Sequence, residues 1–398
     1  MSEWEMVPIP EVLFFQEGPG VRNTQYKPTG VKLLNVANLV EGKVDLSTSN
    51  RYIAEEEAFG KYRHFLVDDG DFIIASSGVQ VDYFDKKMGF IDSTQLPLCM
   101  NTSTIRFKPI DKSKLLIRFF MYYLKTSHFK LQLERLITGS AQLNFGPSHI
   151  KQMRMPLPAI EEQHIIISIL DKVNCLITER KQQLVNLDLL VKSQFVEMFG
   201  LPLYNVHGWD LATVRDVVTD VRYGTSKPAT DDGEYTYLRM NNITYEGQLD
   251  LSDIKRISVT EAELSKCIVK KGDVLFNRTN SRELVGKTCV FNLNEPMVIA
   301  GYIIRIRLNE HILPEYLSTA FNTTFYKKLL NSICKGAIGQ ANINAQELQD
   351  IEILVPPVGL QREFVSLLQA ADKSKFEIQQ GLSALELQYN ALMQKYFG

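Results

Sequence analysis

Leu157-Pro158-Ala159-Ile160-Glu161-Glu162-Gln163 opens a segment that closes on Phe199-Gly200. Val355-Pro356-Pro357-Val358-Gly359-Leu360-Gln361 opens a second segment that closes on Phe397-Gly398, 198 positions later and without a gap. In this register Gln142 meets Gln340, Asn144 meets Asn342, Pro158 meets Pro356 and Gln163 meets Gln361. Leu170 then meets Leu368, Leu184 meets Leu382 and Leu187 meets Leu385. An internal repeat of this kind governs the reading of the whole chain, because each copy implies one structural unit.

Apolar side chains in the first copy alternate at spacings of four and three. They run through Ile166, Leu170, Val173, Ile177, Leu184, Leu187 and Val191 to Met198, interrupted at Arg180 and Gln194. The second copy has Phe364, Leu368, Ala371, Ile378, Leu382, Leu385, Tyr389, Leu392 and Tyr396, interrupted at Lys375. A 3.5-residue period held over several heptads marks a coiled-coil seam. Pro158 and Pro356 stand where a helix start tolerates a missing N–H, and Gly200 followed by Pro202 suits a stop. Roughly 36 residues at about 1.5 Å each give a rod of about 55 Å. Two such rods in one chain are expected to pack on each other. The alternative, a separate core helix in each neighbouring domain, leaves the matched seams without a reason.

Working outward, residues 1–157 read as a mixed α/β unit. Val31–Val36 and Asp71–Ala75 look like buried strands, Thr104–Lys108 like a half-exposed one, and Leu115–Ile137 like one amphipathic helix. A polar, Gly-punctuated run at 138–144 and a short strand at 153–157 lead into the first rod. Residues 201–355 follow the same plan, with Trp209 placed roughly as Trp4 is and Tyr235–Met240 answering the first strand. Gly247-Gln248-Leu249-Asp250-Leu251-Ser252 echoes Gly42-Lys43-Val44-Asp45-Leu46-Ser47, and Lys271-Gly272-Asp273-Val274 echoes Asp69-Gly70-Asp71-Phe72. Pro314–Ile333 is the counterpart helix. The expected class is therefore α+β: two mixed domains (1–157 and 201–355) in pseudo-two-fold repeat, with two long antiparallel coiled-coil helices (158–200 and 356–398). Loops that differ on a constant scaffold are where specificity resides.

Composition narrows the function. The chain has 398 residues, 45% hydrophobic and 23% charged, ordinary for a soluble protein of two or three domains. No apolar run reaches a membrane span, and Met-Ser-Glu-Trp-Glu does not resemble a signal peptide, so a cytoplasmic protein is expected. Five scattered cysteines fit reduced thiols rather than a disulfide framework or zinc site. The formal charge of −2 lacks the basic excess usual for a nucleic-acid binder. The first domain holds 19 basic against 17 acidic residues and the second 17 against 19, so DNA contact would need local clusters.

Catalytic and cofactor motifs do not stand up. Ser281–Thr288 resembles a phosphate loop without its first glycine, yet a β-like Cys289-Val290-Phe291 follows where that loop must open a helix. Asp231-Asp232 and Asp68-Asp69 lie beside glycines in turn-like stretches. The Asn/Asp-Pro-Pro-aromatic run of an amino methyltransferase is absent, and Val355-Pro356-Pro357-Val358 is a helix approach. No catalytic residue, metal or cofactor is expected.

The full pattern of variable domain, repeat helix, variable domain and repeat helix resembles the specificity subunits of type I restriction–modification systems. The resemblance is carried by the two helix approaches, by Lys271-Gly272-Asp273-Val274-Leu275-Phe276-Asn277-Arg278, and by the Gly-Gln-Ala-Asn run at 339–342. It implies two target-recognition domains, each reading half of a split double-stranded DNA sequence, with the repeat helices as spacer. It further implies two adenine-methyltransferase subunits on the repeats, and restriction–motor subunits outside them. The first domain departs from the pattern, with Asp71-Phe72-Ile73-Ile74-Ala75-Ser76-Ser77 in place of the form ending Asn277-Arg278.

Base reading needs Arg, Asn, Gln, Ser or Thr on loops that reach the major groove. In the second domain the candidates are Arg222, Thr225, Ser226, Lys227, Arg239, Asn241, Asn242, Asn277, Arg278, Asn280 and Ser281. In the first they are Arg22, Asn23, Asn35, Asn38, Ser76, Ser77 and Gln80. Gln142, Gln340 and Asn342, in the paired Gly-containing loops, would hold the phosphate backbone or pin the rod. A protein-binding scaffold with no DNA contact is the rival favoured by the near-neutral charge; an enzyme is the second.

Overall fold

The computed structural model describes residues 4–79, 81–137, 143–336 and 341–398. The chain divides into two compact units: Met1–Thr178 with Ser383–Gly398, and Glu179–Leu382. The division falls inside two helices of 40 residues each, Ile160–Phe199 and Val358–Phe397. Among the described residues no helix is long and apolar enough to cross a membrane.

In the first unit β1 (Leu13–Glu17), β4 (Phe72–Ala75), β5 (Met88–Phe90) and β7 (Thr104–Pro109) form an antiparallel sheet in the order β1-β7-β4-β5. A second sheet sets β2 (Val31–Leu34) between β6 (Leu98–Met100) and β3 (Tyr52–Ile53), with β6 parallel to β2. The second unit repeats this. Its first sheet runs β8-β15-β12-β13, from β8 (Val218–Tyr223), β12 (Val274–Asn277), β13 (Thr288–Val290) and β15 (Ile303–Leu308). Its second runs β10-β9-β14-β11, from β9 (Tyr235–Leu238), β10 (Lys255–Ile257), β11 (Ile268–Val269) and β14 (Met297–Ile299). Again one pair, β9 with β14, is parallel. Each unit also pairs the strand after its tryptophan with the strand before a long helix: Met6–Pro8 with Arg154–Pro156, and Asp210–Thr213 with Glu352–Val355.

Two expectations need correcting. The central strand β7 alternates in sequence yet is not half-exposed: its first four residues are all buried. Its polar face is covered by the chain between residues 64 and 71. Arg106 donates to the carbonyls of His64 (2.8 Å) and Leu66 (2.7 Å) and to Gln16 Oε1 (2.7 Å), and Lys108 lies 3.1 Å from Asp71. The second unit uses the same device, with Arg305 buried on Asp220 and Arg307 2.8 Å from Asp273. Alternation thus reported two environments, apolar core and satisfied polar layer, rather than core and water. The expected single helices are each two. Ile117–Leu124 breaks to Ser127–Leu136 and Pro314–Asn322 breaks to Thr324–Ile333. At each break a threonine caps the second piece: Thr126 accepts from Phe129 N and Thr323 from Tyr326 N.

The long helices enter the core of each unit. In the first, Ile166, Ile167 and Leu170 share a cluster with Phe397, and Tyr389, Leu392 and Tyr396 pack against it. Phe397 meets the rings of Trp4, Phe119 and Tyr123 at 5.3–6.4 Å. In the second, Val191, Phe195 and Phe199 cluster with Phe364 and Ala371, and Leu368 packs against them. Lys375 there reaches Asp188 at 2.6 Å. Of the anticipated seam, Ile166, Leu170, Val173, Ile177, Val191, Phe364 and Leu382 are buried, and Leu184, Leu187, Leu368, Ile378, Leu385 and Leu392 are half-buried. Near the end of the first helix the core residue is Phe195 rather than Gln194.

Each helix start is held by a buried glutamine. Gln163 Oε1 accepts from Leu116 N (2.9 Å) while Nε2 donates to the carbonyls of Lys114 (2.8 Å) and Pro158 (2.9 Å). Gln361 makes the same three bonds to Leu313 N, His311 O and Pro356 O, each at 2.8 Å. Both are 0% exposed. Gln361→Leu strands these groups in the interior and is expected to cost about 1–3 kcal/mol. A urea titration of the variant that reproduces the parent midpoint would refute the clamp.

Candidate nucleic-acid interface

In the second unit six of the anticipated contacts converge. Thr225, Ser226, Lys227, Arg239, Asn241 and Arg278 line one cavity of about 480 Å³. Three turns bring them there. Gly224 ends the approach of β8 to β14 so closely that an added Cβ would stand 2.1 Å from the Ile299 carbonyl oxygen and 2.3 Å from that of Ala300. The backbone can therefore turn into Thr225–Lys227 only without a side chain. Arg239 opens the short helical turn Met240–Asn242, stapled by Asn242, whose Oδ1 accepts from Arg239 N (2.8 Å) and whose Nδ2 donates to Asp250 O (2.8 Å). Arg278 leaves the end of β12 with its N–H on Tyr302 O (2.9 Å).

The charges explain how a near-neutral chain keeps a basic groove. Lys227 pairs with Glu263 at 2.7 Å and Arg239 with Asp253 at 2.7 Å. The Lys227 ammonium beside Glu263, together with the Thr260 cap, draws that carboxyl down to about 2. Such solvent-screened surface pairs contribute little and can be exchanged for phosphate at small cost. Among the described residues no carboxylate pairs with Arg278; its guanidinium lies 4.8 Å from the centre of the Tyr223 ring. A flat cation held on an aromatic face presents its remaining N–H groups in a fixed fork, the shape that matches guanine O6 and N7.

The other candidate residues of this unit fall differently. Asn242 and Asn277 are buried, and Asn277 donates to Tyr302 O and accepts from Asn280, so both are internal braces and not base readers. Asn280 Oδ1 accepts from Ser281 N, and Asn342 Oδ1 from Thr279 Oγ1. Arg222 is exposed, tied to Asp220 at 2.8 Å, and does not line the cavity. Gln340 lies outside the described residues.

Among the described residues of the first unit, the candidates fall on separate turns. Asn38, 0% exposed, staples the turn Val36–Asn38 as Asn242 does its own, accepting from Asn35 N and donating to Asp45 O. Asn35 is also buried and accepts from Asn101 Nδ2 at 2.9 Å. Asn101 and Ala300 hold the same place, each donating its N–H to the end of the parallel strand beside it. The asparagine thus fills with internal hydrogen bonds the space that alanine leaves open. Ser76 takes the backbone position of Arg278, its N–H on Ser103 O, and is buried. Arg22 and Asn23 stand exposed on a separate turn, and Ser77 belongs to the strand pair Ser77–Val79 with Leu143–Asn144. Gln80 and Gln142 lie outside the described residues.

Sequence reading missed Tyr302, and it placed Tyr223 in the candidate stretch 222–227 without giving its ring a role. Tyr302, 51% exposed, lines the groove and offers a ring for stacking. The available signal was Gly224 and Gly301, two glycines flanking groove-forming turns.

The chain matches the type I restriction modification DNA specificity domain twice, over residues 1–187 and 207–387. It is 24% identical over 301 residues to the type I restriction enzyme EcoKI specificity subunit of Escherichia coli (strain K12), covering 70% of this chain and 64% of that protein. The chain thus spans less than two thirds of that relative's length. Two solved structures share the fold. One is a type I restriction–modification S subunit from M. genitalium (TM-score 0.55, 15% identity, covering 100% of this chain and 96% of that one). The other comes from work on complex assembly and conformational transition of the type I R-M system (TM-score 0.59, 16% identity, covering 100% and 98%).

Proposed function

Because the chain belongs to the type I restriction modification DNA specificity family, we propose that it is the non-catalytic DNA-reading subunit of a type I restriction–modification complex. Its recognition domains are 1–157 and 201–355, and each reads one half of a bipartite target. One observation carries this reading: the two units repeat strand order and glutamine clamp while the residues at the matching loops differ. Asn35, Ser76 and Asn101 stand in the first where Arg239, Arg278 and Ala300 stand in the second. A constant frame with unlike surfaces suits two unlike half-sites, whereas a scaffold for one ligand would repeat its surface.

Segments 158–200 and 356–398 form the spacer as an antiparallel coiled coil. Support comes from each unit separately: the start of one long helix shares a core with the end of the other in the first, and the roles exchange in the second. Two methyltransferase subunits dock on the repeats, with restriction subunits beyond them. Leu189 and Leu387, 198 positions apart, are 57% and 72% exposed on their helices. Equivalent apolar residues left uncovered on both copies fit two copies of one partner. Work on cellular DNA places the complex in the cytoplasm.

Arg278→Ala is expected to relax recognition within one half-site only, by ~1–3 kcal/mol. Sequencing of methylated adenines in a host carrying the variant with its methyltransferase reads the outcome directly. Equal loss in both halves would contradict one domain per half. Salt-independent behaviour, or no duplex binding at all, would favour the protein scaffold.

A further inference from the structure

A second basic cavity in the second unit, about 460 Å³, lies away from the reading groove. Lys192 of the first long helix, Arg282, and Lys327 and Lys328 of the helix Thr324–Ile333 line it, against one lining carboxylate, Glu283. Lys327 Nζ is buried and has no hydrogen-bond partner among the described residues; it sits 4.6 Å from the centre of the Tyr245 ring. Burial, with Lys192 and Lys287 nearby, pushes its pKa down to about 8 despite Glu246. Asn322 Oδ1, on the same wall, is buried without a partner as well. The loop is braced rather than loose: Asn331 Nδ2 donates to Arg282 O at 2.9 Å.

The first unit shows what a purely structural lysine looks like here. Lys130 and Lys327 each stand four residues after the capping threonine and donate their N–H to it. Lys130 faces Asp85 at 3.8 Å, and Leu131 follows it where Lys328 follows Lys327. In the second unit no carboxylate pairs with this lysine among the described residues, Glu246 acts on it only through space, and a second cation stands beside it. An uncompensated buried ammonium is costly, and persists where an anion completes it.

We propose that the cavity bounded by Lys192, Arg282, Lys327 and Lys328 holds a phosphate of the DNA backbone, on the side of the half-site that adjoins the long helix. This rests on the specificity-subunit reading. The phosphate is that of a phosphodiester because Arg282 belongs to the same loop as Arg278, four residues on. Arg278 reads a base and this cavity sets register, contributing affinity without sequence preference.

The test measures binding of the full chain to its cognate duplex and to a scrambled duplex over a range of salt concentrations. Lys327→Met and the exposed double variant Arg282→Ala/Lys328→Ala are each expected to weaken both duplexes by the same factor. Each should also flatten the slope of log K against log salt by about 1. The double variant keeps the test decisive if Lys327→Met unfolds. Unchanged slopes, or a loss confined to the cognate duplex, overturn the proposal. So does inorganic phosphate that raises the melting temperature of the parent but not of Lys327→Met while the DNA slopes stay equal, since the cavity would then take free phosphate. A parent chain that binds neither duplex sinks the specificity reading itself, whereas parent binding with unaltered variants sinks the phosphate site alone.

Discussion

Phe364→Ala is expected to destabilise the second unit by about 3–5 kcal/mol, the cost of emptying an aromatic side chain from a core that cannot collapse around the gap. Phe364 is 0% exposed, and its ring meets Phe195 at 5.3 Å and Phe199 at 5.6 Å, both edge-on. Those two rings in turn pack on Tyr316 at 5.1 and 4.9 Å, so four aromatics form one cluster that joins both long helices to the domain. Part of the loss exceeds area burial, since edge-to-face pairs add about 0.5–1.5 kcal/mol each. Phe364→Leu, which retains most of the volume, should lose less. Denaturant unfolding monitored by far-UV circular dichroism separates these cases, and a loss below about 1 kcal/mol for the alanine variant would contradict the packing account.

The second large effect concerns geometry. A heptad inserted at matched levels in the two long helices, after Leu187 in the first, lengthens the proposed spacer by about 10 Å while returning each seam to its register. At 3.4 Å per base pair that is about three base pairs. Methylation of the original target should then vanish, and methylation of a target with the same two halves and a longer gap should appear. Adenine-methylation sequencing decides it. A gap of unchanged length would remove the spacer role from these helices, and an altered half-site would mean that they contribute to reading. An insertion of four residues, by contrast, is a stutter that the supercoil absorbs by unwinding locally, so it should move the gap by a smaller step, about 6 Å of helix.

Much of this architecture is legible in the sequence. The two helices were visible because a 3.5-residue seam survives wherever a helix has one buried stripe, and each is 40 residues long at the anticipated place. The duplicated domains showed through short echoes such as Lys271-Gly272-Asp273 and Asp69-Gly70-Asp71, which fall on equivalent turns into β12 and β4. The repeat of Gln163 and Gln361 was plain, while its role was not. A glutamine's identity does not say that its amide will find two carbonyls and an N–H, two of the three from a loop nearly 50 residues away.

The interface was legible only by kind. Polar loop residues look alike in sequence whether they face water or brace a turn, and Asn38, Asn242 and Asn277 turned out to brace turns. Which of the others converge depends on where three separated segments are brought, and no local pattern encodes that. Tyr302 escaped for the same reason, since an aromatic beside a strand is ordinarily core.

Composition, period and repeat by themselves determined two like domains and two long helices, because a seam depends on residues close in the chain and a repeat only on comparing two such runs. Tertiary structure alone decided that Ala300 opens a groove which Asn101 fills, that Arg278 lies on Tyr223, and that Lys327 is buried without the acid its counterpart Lys130 has. Each of these is a contact between residues distant in sequence. Its energy depends on which groups exclude water together, and only the folded chain settles that.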